Sequence, residues 1–432
     1  VIEIAAEDPK VLNGEVKNND LFETVLNPPN WLNQEYLENA LRDYMHDKAL
    51  SITECSIVPA TKPGDNFASV VFRAQITFTS KKNSVSDEEV SYIIKVKPFL
   101  EGVKKDMMGD IPFFDTEIKM YTTVLPEMQR LLSQTGDKDI IAPKIIHHGL
   151  NPDIIMFEDI GKNGYVLNHT ALSYENTQKL LIKLAKFHAL SYYIQKEEIL
   201  DLSEFNCGLF SSCIASKFEI LQQSFNNFIE AINEYEEYRE IINKLAALKP
   251  YFMKKLNAIY KPNPDGFNVL NHGDFHLRNL LFRFVDDELD HISFIDFQIS
   301  IWATPAIDLY YALYAATSSD VRDRQHELLR RYHDEFTLLL SNLGYLKKVP
   351  SLLDLHIELL QYGFIEIFMA ACFLPMQYMD LGALAAEATD EQTEGFDVML
   401  LVMKKVFKQE PLKEILSKLL PKFLNTGILE IS

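Results

Sequence analysis

The sequence has few cysteines, and they are scattered along it. Cys55, Cys207, Cys213 and Cys372 are the only four in 432 residues, and they show no paired short spacing. Zinc sites and disulfide frameworks use closely and regularly spaced cysteines. We therefore expect neither in this chain. The same pattern favours a reducing compartment, which predicts a cytoplasmic location.

Positive charge is also scarce. The 42 Lys and Arg residues stand against 62 Asp and Glu residues, which gives a formal net charge of -20. A surface of this sign repels the phosphates of nucleic acids and anionic lipid headgroups. We therefore predict no nucleic-acid partner and no membrane partner.

Long apolar runs are missing too. The longest, residues 365–376, is too short to span a bilayer and contains Glu366. The first ten residues show no basic segment followed by an apolar stretch, so no targeting segment is expected. Internal repeats and low-complexity segments are absent from the sequence.

The sequence does have the composition of a folded protein of two lobes, with 47% hydrophobic and 24% charged residues. Residues 31–45 show helical spacing, whereas residues 68–80 and 89–99 are rich in β-branched residues and predict strands. Helical spacing returns at residues 113–125, and residues 152–160 predict a short strand. Residues 1–160 therefore predict a small α+β N-terminal lobe.

Residues 161–432 predict a larger, mainly helical C-terminal lobe. Residues 175–194 give the clearest helix, and a second is predicted from about 321 to 343, with Gly344 as its stop. Residues 280–296 are the exception, because two apolar segments flank an acidic turn and indicate a β-hairpin.

Polar side chains crowd the start of that hairpin in the string NHGDFHLRNLLF, residues 271–282. An antiparallel hairpin brings the start of its first strand beside the end of its second, so Asp274, Asn279 and Asp296 should meet. An amide and a carboxylate oxygen suit Mg²⁺ that takes its other ligands from nucleotide phosphates. A second carboxylate, Asp274, is then free to accept a proton from a hydroxyl.

These motifs resemble those of kinases in the variant found in aminoglycoside and choline phosphotransferases. The order of motifs over residues 30–410 resembles the insect ecdysteroid kinase-like family, which implies a two-lobed protein kinase-like fold. The strings that carry the likeness are GDNFAS (64–69), YIIKVKP (92–98), FFDTEIKMYTTVLPEM (113–128), IMFEDI (155–160), LAKFHALSYY (184–193), HGDFHLRN (272–279) and IDFQISIWATPAIDLYY (295–311).

The resemblance implies roles for five residues. Asp274 matches the catalytic aspartate, and Asn279 and Asp296 match the two Mg²⁺ ligands. Lys95 matches the strand lysine that holds the phosphates of ATP, and Glu117 matches the acid that pairs with that lysine. Lys97 competes with Lys95 for the phosphate contact, since both point to one strand face.

The resemblance also implies nucleotide contacts elsewhere. Gly64, Asn66 and Ser69 belong to the turn that would cover the nucleotide. The backbone of Glu158 and Ile160 resembles the hinge that binds adenine. His276 lies where kinases place a cation that contacts the γ-phosphate, although the sequence leaves this contact open.

Three further polar residues are expected to have structural roles. His188 lies on the apolar face of its helix, which is typical of a core histidine with satisfied hydrogen bonds. His272 should brace the loop that carries Asp274. Asp308 resembles the kinase acid that caps the backbone of that loop.

The short segment between Asp296 and Asp308 favours a small-molecule acceptor over a peptide. Only 12 positions separate the two residues, which leaves little room for a peptide platform, and Gln298 stands where protein kinases have a flexible glycine. The family resemblance implies an ecdysteroid or another lipophilic hydroxyl compound as acceptor. Aromatic residues could line its pocket, although each is individually expected in the core: Trp302, Tyr310, Tyr311, Phe364, Phe368 and Phe373.

Alternative functions remain open from the sequence. A choline- or aminoglycoside-type kinase would share the fold, and a pseudokinase would bind a ligand without transferring phosphate. A protein kinase would need a longer segment after Asp296. The sequence does not fix the oligomeric state.

Overall fold

An antiparallel sheet of five strands forms the centre of the N-terminal lobe in a computed structural model, which describes residues 27–61, 69–80, 87–97, 111–215, 219–378 and 395–431. The strands are β1 (Ser51–Pro59), β2 (Val70–Thr79), β3 (Glu88–Val96), β4 (Ile145–Gly149) and β5 (Ile154–Glu158). Their order in the sheet is β1-β2-β3-β5-β4.

Alternating burial explains why β2 sits inside this sheet. Phe72, Ala74, Ile76 and Phe78 are buried on one face, while most residues between them are partly exposed. That face packs against the first helix, Gln34–Met45. The predicted strands at 68–80, 89–99 and 152–160 are therefore confirmed with slightly shorter bounds.

Strands β1 and β4 were not predicted from the sequence. Most side chains of the edge strand β1 are exposed or half-buried, so its sequence carries little hydrophobic alternation. The strand β4 is short and contains the two histidines His147 and His148. These two strands form because they pair with β2 and β5, rather than because of their own residues.

The helix predicted at 113–125 is longer than expected. It runs as Phe113–Lys119, passes through a π-helical turn at Met120–Val124 and continues as Leu125–Gln134. The extension is amphipathic, with Met128 and Leu132 buried. This helix lies behind the sheet and carries Glu117.

Helices make up most of the C-terminal lobe. The predicted helix at 175–194 is confirmed, whereas the one predicted at 321–343 is split at Asp323 and Arg324. In chain order the helices of the described residues are α1 (Gln34–Met45), α2 (Phe113–Lys119), α3 (Leu125–Gln134), α4 (Tyr174–Lys196), α5 (Ser212–Ala215), α6 (Glu219–Ile232), α7 (Arg239–Leu248), α8 (Phe252–Ile259), α9 (Ala306–Ala315), α10 (Ser319–Arg322), α11 (Gln325–Asn342), α12 (Leu352–Gln361), α13 (Phe364–Phe368), α14 (Gly395–Val406) and α15 (Glu410–Asn425).

The predicted hairpin is present in the C-terminal lobe. Its turn residues, Asp286 and Asp287, both have positive φ (50° and 63°), as a two-residue hairpin turn of this hand requires. The remaining strands are β6 (Tyr165–Leu167), β7 (Val269–Asn271), β8 (Leu280–Val285), β9 (Glu288–Phe294) and β10 (Ile301–Ala303). They form one sheet of order β6-β8-β9 and a pair of β7 with β10. The predicted lobe boundary after residue 160 stays a prediction.

One disulfide contradicts the expectation drawn from the cysteine spacing. Cys207 and Cys213 are bonded, with their Cα atoms 6.0 Å apart, because the chain between them turns back on itself. The argument from cysteine usage to a reducing compartment therefore loses its support, and the location stays a prediction.

In the described ranges no single helix is both long and apolar enough to cross a bilayer. The segments Leu352–Gln361 and Phe364–Tyr378 meet the length and composition criteria only as a pair, bent by 54°.

A polar network joins the segment after α3 to the C-terminal lobe. The carboxylate of Asp139 accepts hydrogen bonds from Lys183 Nζ at 2.7 Å and from His291 Nε2 at 2.6 Å. Burial opposes the ionisation of Asp139, but His291 and Lys183 outweigh it and hold the pKa of Asp139 below its usual range. Burial lowers the pKa of Lys183 to about 8, against the charge of Asp139.

We expect Asp139→Asn to lower the free energy of unfolding by about 3 kcal/mol, because it leaves the buried Lys183 without its counter-charge. Urea denaturation would measure this change. Asp137→Asn is the matched control, since Asp137 pairs with the more exposed Lys186, and it should cost about 1 kcal/mol or less.

The two variants should also differ in pH dependence. Because folding lowers the pKa of Asp139, its stabilisation is complete above about pH 4, the ordinary aspartate value, and is lost as the pH falls towards the lowered pKa. The difference in the free energy of unfolding between wild type and Asp139→Asn should therefore become smaller at acidic pH. Equal losses of stability in Asp139→Asn and Asp137→Asn at neutral pH would contradict this account.

Candidate active site

The loop between β7 and β8, which we call the Asp274 loop (residues 272–279), is held in place by Asp308. The two carboxylate oxygens of Asp308 accept the backbone N–H groups of His272 at 2.6 Å and Gly273 at 2.9 Å. Asp308 is fully buried at the start of α9. Its predicted capping role is confirmed.

Two histidines complete this support. His188 on α4 is fully buried, with Nε2 3.2 Å from Asp308 and Nδ1 2.8 Å from the Tyr332 hydroxyl. His272 Nε2 lies 2.8 Å from the carbonyl oxygen of Ile295, which joins the loop to the chain just before Asp296. Both histidines therefore have the structural roles that the sequence predicted.

Gly273 occupies a position that only glycine fits. Its φ is +88°, and a Cβ atom built there would lie 2.2 Å from the carbonyl oxygen of Ile299. The Asp274 loop thus passes directly against the segment after Asp296.

Asp274 lies next to the amide of Asn279 and the ring of His276. Asn279 Nδ2 donates to Asp274 Oδ2 at 3.1 Å, and His276 Nε2 is 3.3 Å from the same oxygen. Burial would raise the pKa of Asp274, but His276, His272 and Asn279 outweigh it and hold that pKa below the ordinary value. Asp274 is therefore a carboxylate at neutral pH.

Asn279 and Asp296 are brought together as the hairpin predicted. The backbone N–H of Ile295 donates to the carbonyl oxygen of Asn279 at 3.1 Å, and Asp296 comes directly after it with φ +67°. Because Nδ2 of Asn279 is bonded to Asp274, its amide oxygen is the atom available to a cation.

The donor set fits Mg²⁺ shared with a phosphate ligand. Among the described residues no group of three or more histidine, cysteine or carboxylate side chains could hold a metal ion. Asn279 and Asp296 offer two hard oxygen atoms, which is the small protein share that Mg²⁺ takes when phosphates and water supply the rest.

Lys95 connects three elements through its ammonium group. On β3, its Nζ lies 2.5 Å from Glu117 Oε2 of α2 and 2.6 Å from Asp296 Oδ1. Burial would lower the pKa of Lys95, but the charges of Asp296 and Glu117 outweigh it and raise that pKa. Burial raises the pKa of Glu117 to about 7, against the charge of Lys95. Lys97 instead pairs with Asp153 at 3.2 Å, so it is Lys95 that reaches the other predicted site residues.

The predicted contact of Glu158 and Ile160 with adenine stays a prediction. The backbone N–H of Glu158 donates to the Lys144 carbonyl at 3.0 Å. An adenine contact by the Glu158 backbone would therefore be made by its carbonyl oxygen. The N–H of Ile160 donates to no group in the described part of the chain. Ser69 is buried at the start of β2, whereas Gly64 and Asn66 lie outside the described residues.

A brace of the segment after β5 was missed from the sequence. Arg73 Nε on β2 and Ser91 Oγ on β3 both donate to Asp159 Oδ2, at 2.8 and 2.6 Å. Asp159 stands 86 positions from Arg73 in the chain, and no local pattern could have linked them. This pair fixes the end of β5 to the sheet.

His276 is paired on one side of its ring only. Its Nε2 faces Asp274, while its buried Nδ1 has no hydrogen-bond partner among the described residues. Burial would lower the pKa of His276, but the charge of Asp274 outweighs it and raises that pKa. The predicted contact with a γ-phosphate stays a prediction.

The profile of the ecdysteroid kinase-like family matches residues 63–345. No curated protein matches the chain.

Solved structures with similar folds are phosphotransferases. An ethanolamine kinase from Plasmodium vivax is 13% identical, covers 88% of this chain and 90% of its own, and gives a TM-score of 0.39. An aminoglycoside phosphotransferase solved with ADP is 16% identical, over 78% and 99%, with a TM-score of 0.31. A macrolide 2′-phosphotransferase from Brachybacterium faecium is 10% identical, over 83% and 99%, with a TM-score of 0.34.

We expect Gly273→Ala to destabilise the fold by about 3 kcal/mol or more, because it combines an unfavourable φ with a clash against backbone. Gly344→Ala is the matched control: Gly344 has φ +76° but no atom within 4 Å of a built Cβ. The control should cost about 1–2 kcal/mol from backbone strain alone. Urea denaturation of both variants measures the difference, and similar losses would refute the close approach at Ile299.

Proposed function

We propose that this chain, which belongs to the ecdysteroid kinase-like family, transfers the γ-phosphate of ATP to a hydroxyl group of a small molecule. The observation that carries the proposal is the position of Lys95, within 2.6 Å of both Glu117 and Asp296. This lysine links the sheet to the end of the hairpin that also holds Asn279. A cation, two oxygen ligands and the carboxylate of Asp274 are the parts that phosphoryl transfer requires.

Each residue has a role that its contacts support. Lys95, with its rotamer fixed by Glu117, binds phosphate oxygens of ATP. Asn279 and Asp296 would hold Mg²⁺, which would neutralise phosphate charge. Asp274 lies on a loop whose backbone is fixed by Asp308, so its carboxylate can orient the acceptor hydroxyl.

The transfer itself breaks one bond and forms one. The acceptor oxygen forms a bond to the γ-phosphorus while the bond from that phosphorus to the β,γ-bridging oxygen breaks, and ADP leaves. The hydroxyl proton passes to Asp274, whose lowered pKa keeps it ionised and able to accept.

The short segment after Asp296 supports a small acceptor. The strand β10 and the start of α9 take up half of the 12 positions to Asp308, which leaves little chain for docking a peptide. The family description favours an ecdysteroid-like or other lipophilic alcohol. A choline- or aminoglycoside-type acceptor and a catalytically silent ligand-binding protein are the alternatives. The cytoplasmic location and the lack of nucleic-acid and membrane partners stay predictions.

The first experiment is to incubate the protein with Mg²⁺ and ATP together with ecdysteroids, other sterols, choline or aminoglycosides. Mass spectrometry would detect a product about 80 Da heavier than the acceptor, the mass of a transferred phosphoryl group. A product from a sterol supports the proposal, whereas a product from choline alone favours the alternative kinase. ATP binding without a product from any compound favours the silent protein.

Asp274→Asn should lower turnover by roughly 10²- to 10⁴-fold, because the amide cannot accept the hydroxyl proton. The Kd for ATP should stay within about threefold of wild type, since Asp274 holds no phosphate and no metal in this proposal. Asp290→Asn is a suitable control, because Asp290 pairs with Arg283 at the protein surface. Wild-type turnover by Asp274→Asn would exclude Asp274 as the base.

Lys95→Met should weaken ATP binding or turnover by roughly 10-fold or more, because it removes the cation beside the phosphates. Lys97→Met is its matched control two positions along, where the ammonium group is more exposed and pairs with Asp153. Binding of ATP would be measured by calorimetry on both variants, with circular dichroism to verify folding. A larger loss of ATP binding in Lys97→Met than in Lys95→Met would assign the phosphate contact to Lys97.

A further inference from the structure

Buried polar atoms without hydrogen-bond partners gather near Asp274. In the described residues four such side-chain atoms occur, and three of them are the hydroxyls of Tyr260 and Tyr311 and Nδ1 of His276. Tyr260 is 3% exposed and Tyr311 is fully buried. Leaving a buried hydroxyl unpaired costs free energy, so native proteins rarely keep one without a use.

Tyr311 is placed beside the Asp274 loop by the helix that carries Asp308. Tyr311 lies on α9 one turn after Asp308, whose carboxylate holds that loop. Burial raises the pKa of both tyrosines well above the ordinary value, and the charge of Asp274 adds to this at each of them. The two hydroxyls therefore stay protonated and lie within range of the Asp274 charge.

The ring of Phe373 lies beside Tyr311 and His276. The ring centroid of Phe373 lies 5.0 Å from that of Tyr311 and 6.4 Å from that of His276. Phe373 is itself only partly buried, and its ring also meets that of Phe368 at 5.4 Å. Phe373 is therefore a partly exposed neighbour of both Tyr311 and His276.

The other tyrosines of α9 differ in one respect. The hydroxyl of Tyr310 donates to the carbonyl of Leu359 at 2.8 Å, and that of Tyr314 donates to Glu366 at 2.6 Å. These bonds stabilise the fold, and each uses the hydroxyl hydrogen that could otherwise be donated to a ligand. Tyr311 lies on the same helix and is equally buried, but its hydroxyl lacks such a bond.

We propose that Tyr311 and Tyr260 are specificity-determining residues, which hydrogen-bond a second oxygen atom of the acceptor while its reacting hydroxyl faces Asp274. This inference rests on the proposed function, since it takes Asp274 as the group that meets the reacting hydroxyl. Phe373 moves aside to admit the acceptor and then packs against its apolar skeleton.

The side chains that would contact the acceptor favour an uncharged molecule with at least two oxygen functions. Tyr260 and Tyr311 are neutral, and each hydroxyl can donate a hydrogen bond to an oxygen atom of the acceptor. The rings of Phe368, Phe373 and Phe210 supply apolar contact, and Phe210 lies 5.3 Å from Tyr260. A quaternary ammonium ion could stack on these rings but could not bond the hydroxyls.

The test compares three isosteric substitutions, Tyr311→Phe, Tyr260→Phe and Tyr310→Phe. Calorimetry would measure the binding of ecdysone, as a polyhydroxylated sterol, and of choline, as a cation, together with the Kd for ATP and the melting temperature. Tyr311→Phe and Tyr260→Phe should each weaken ecdysone binding by about tenfold, with the affinity for ATP and the melting temperature unchanged or slightly raised. Tyr310→Phe should lower the melting temperature and leave ecdysone binding unchanged.

The outcomes separate this proposal from the proposed function. Equal binding of ecdysone to wild type and Tyr311→Phe would mean that the hydroxyl serves only the fold or a buried water, and would overturn the inference even if phosphoryl transfer occurs. Binding of choline but not of ecdysone, or of neither, would overturn it as well. Loss of ecdysone binding in Tyr311→Phe supports it even if no phosphorylated product forms, in which case the proposed function fails alone.

Discussion

The carboxylate of Asp308 is the group on which the geometry of the site depends. A fully buried charge is costly unless it is hydrogen-bonded, and here two backbone N–H groups and His188 supply the partners. The Asp274 loop is therefore held in one position. It also has little room to move towards the segment after Asp296, because Gly273 lies close to the backbone of Ile299. The backbone leading to Asp274 is thus positioned by the contacts of His272 and Gly273.

Lys95 makes the corresponding connection between the lobes. Its ammonium group is shared by Glu117 from α2 and Asp296 from the end of the hairpin, so one buried cation defines the distance between sheet, helix and C-terminal lobe. Glu117 has a pKa of about 7 because burial outweighs the attraction of a cation that it shares with Asp296. An element that carries one of these three groups cannot move without leaving a charge unpaired, and this keeps the site in one arrangement.

The parts of the site that could be predicted from the sequence are those coded locally. The hairpin has its turn in Asp286 and Asp287, and a hairpin necessarily brings Asn279 and Asp296 together. The contact of Asp159 with Arg73 and the disulfide of Cys207 depend on how distant or looping segments meet, which no periodicity encodes. Strands β1 and β4 were missed for the same reason, since their partners rather than their own residues make them strands.

Helix α9 shows why burial alone could not separate pocket residues from core residues in the sequence. Tyr310, Tyr311 and Tyr314 are all buried and have the same side chain, so hydrophobicity and spacing treat them alike. They differ only in whether the hydroxyl finds a partner, which depends on residues some 50 positions away. Native proteins satisfy most buried polar groups, so an exception beside Asp274 supports the proposal of a ligand there. The same helix supports the Asp274 loop through Asp308 and, one turn later, carries Tyr311, the residue that we propose contacts the acceptor.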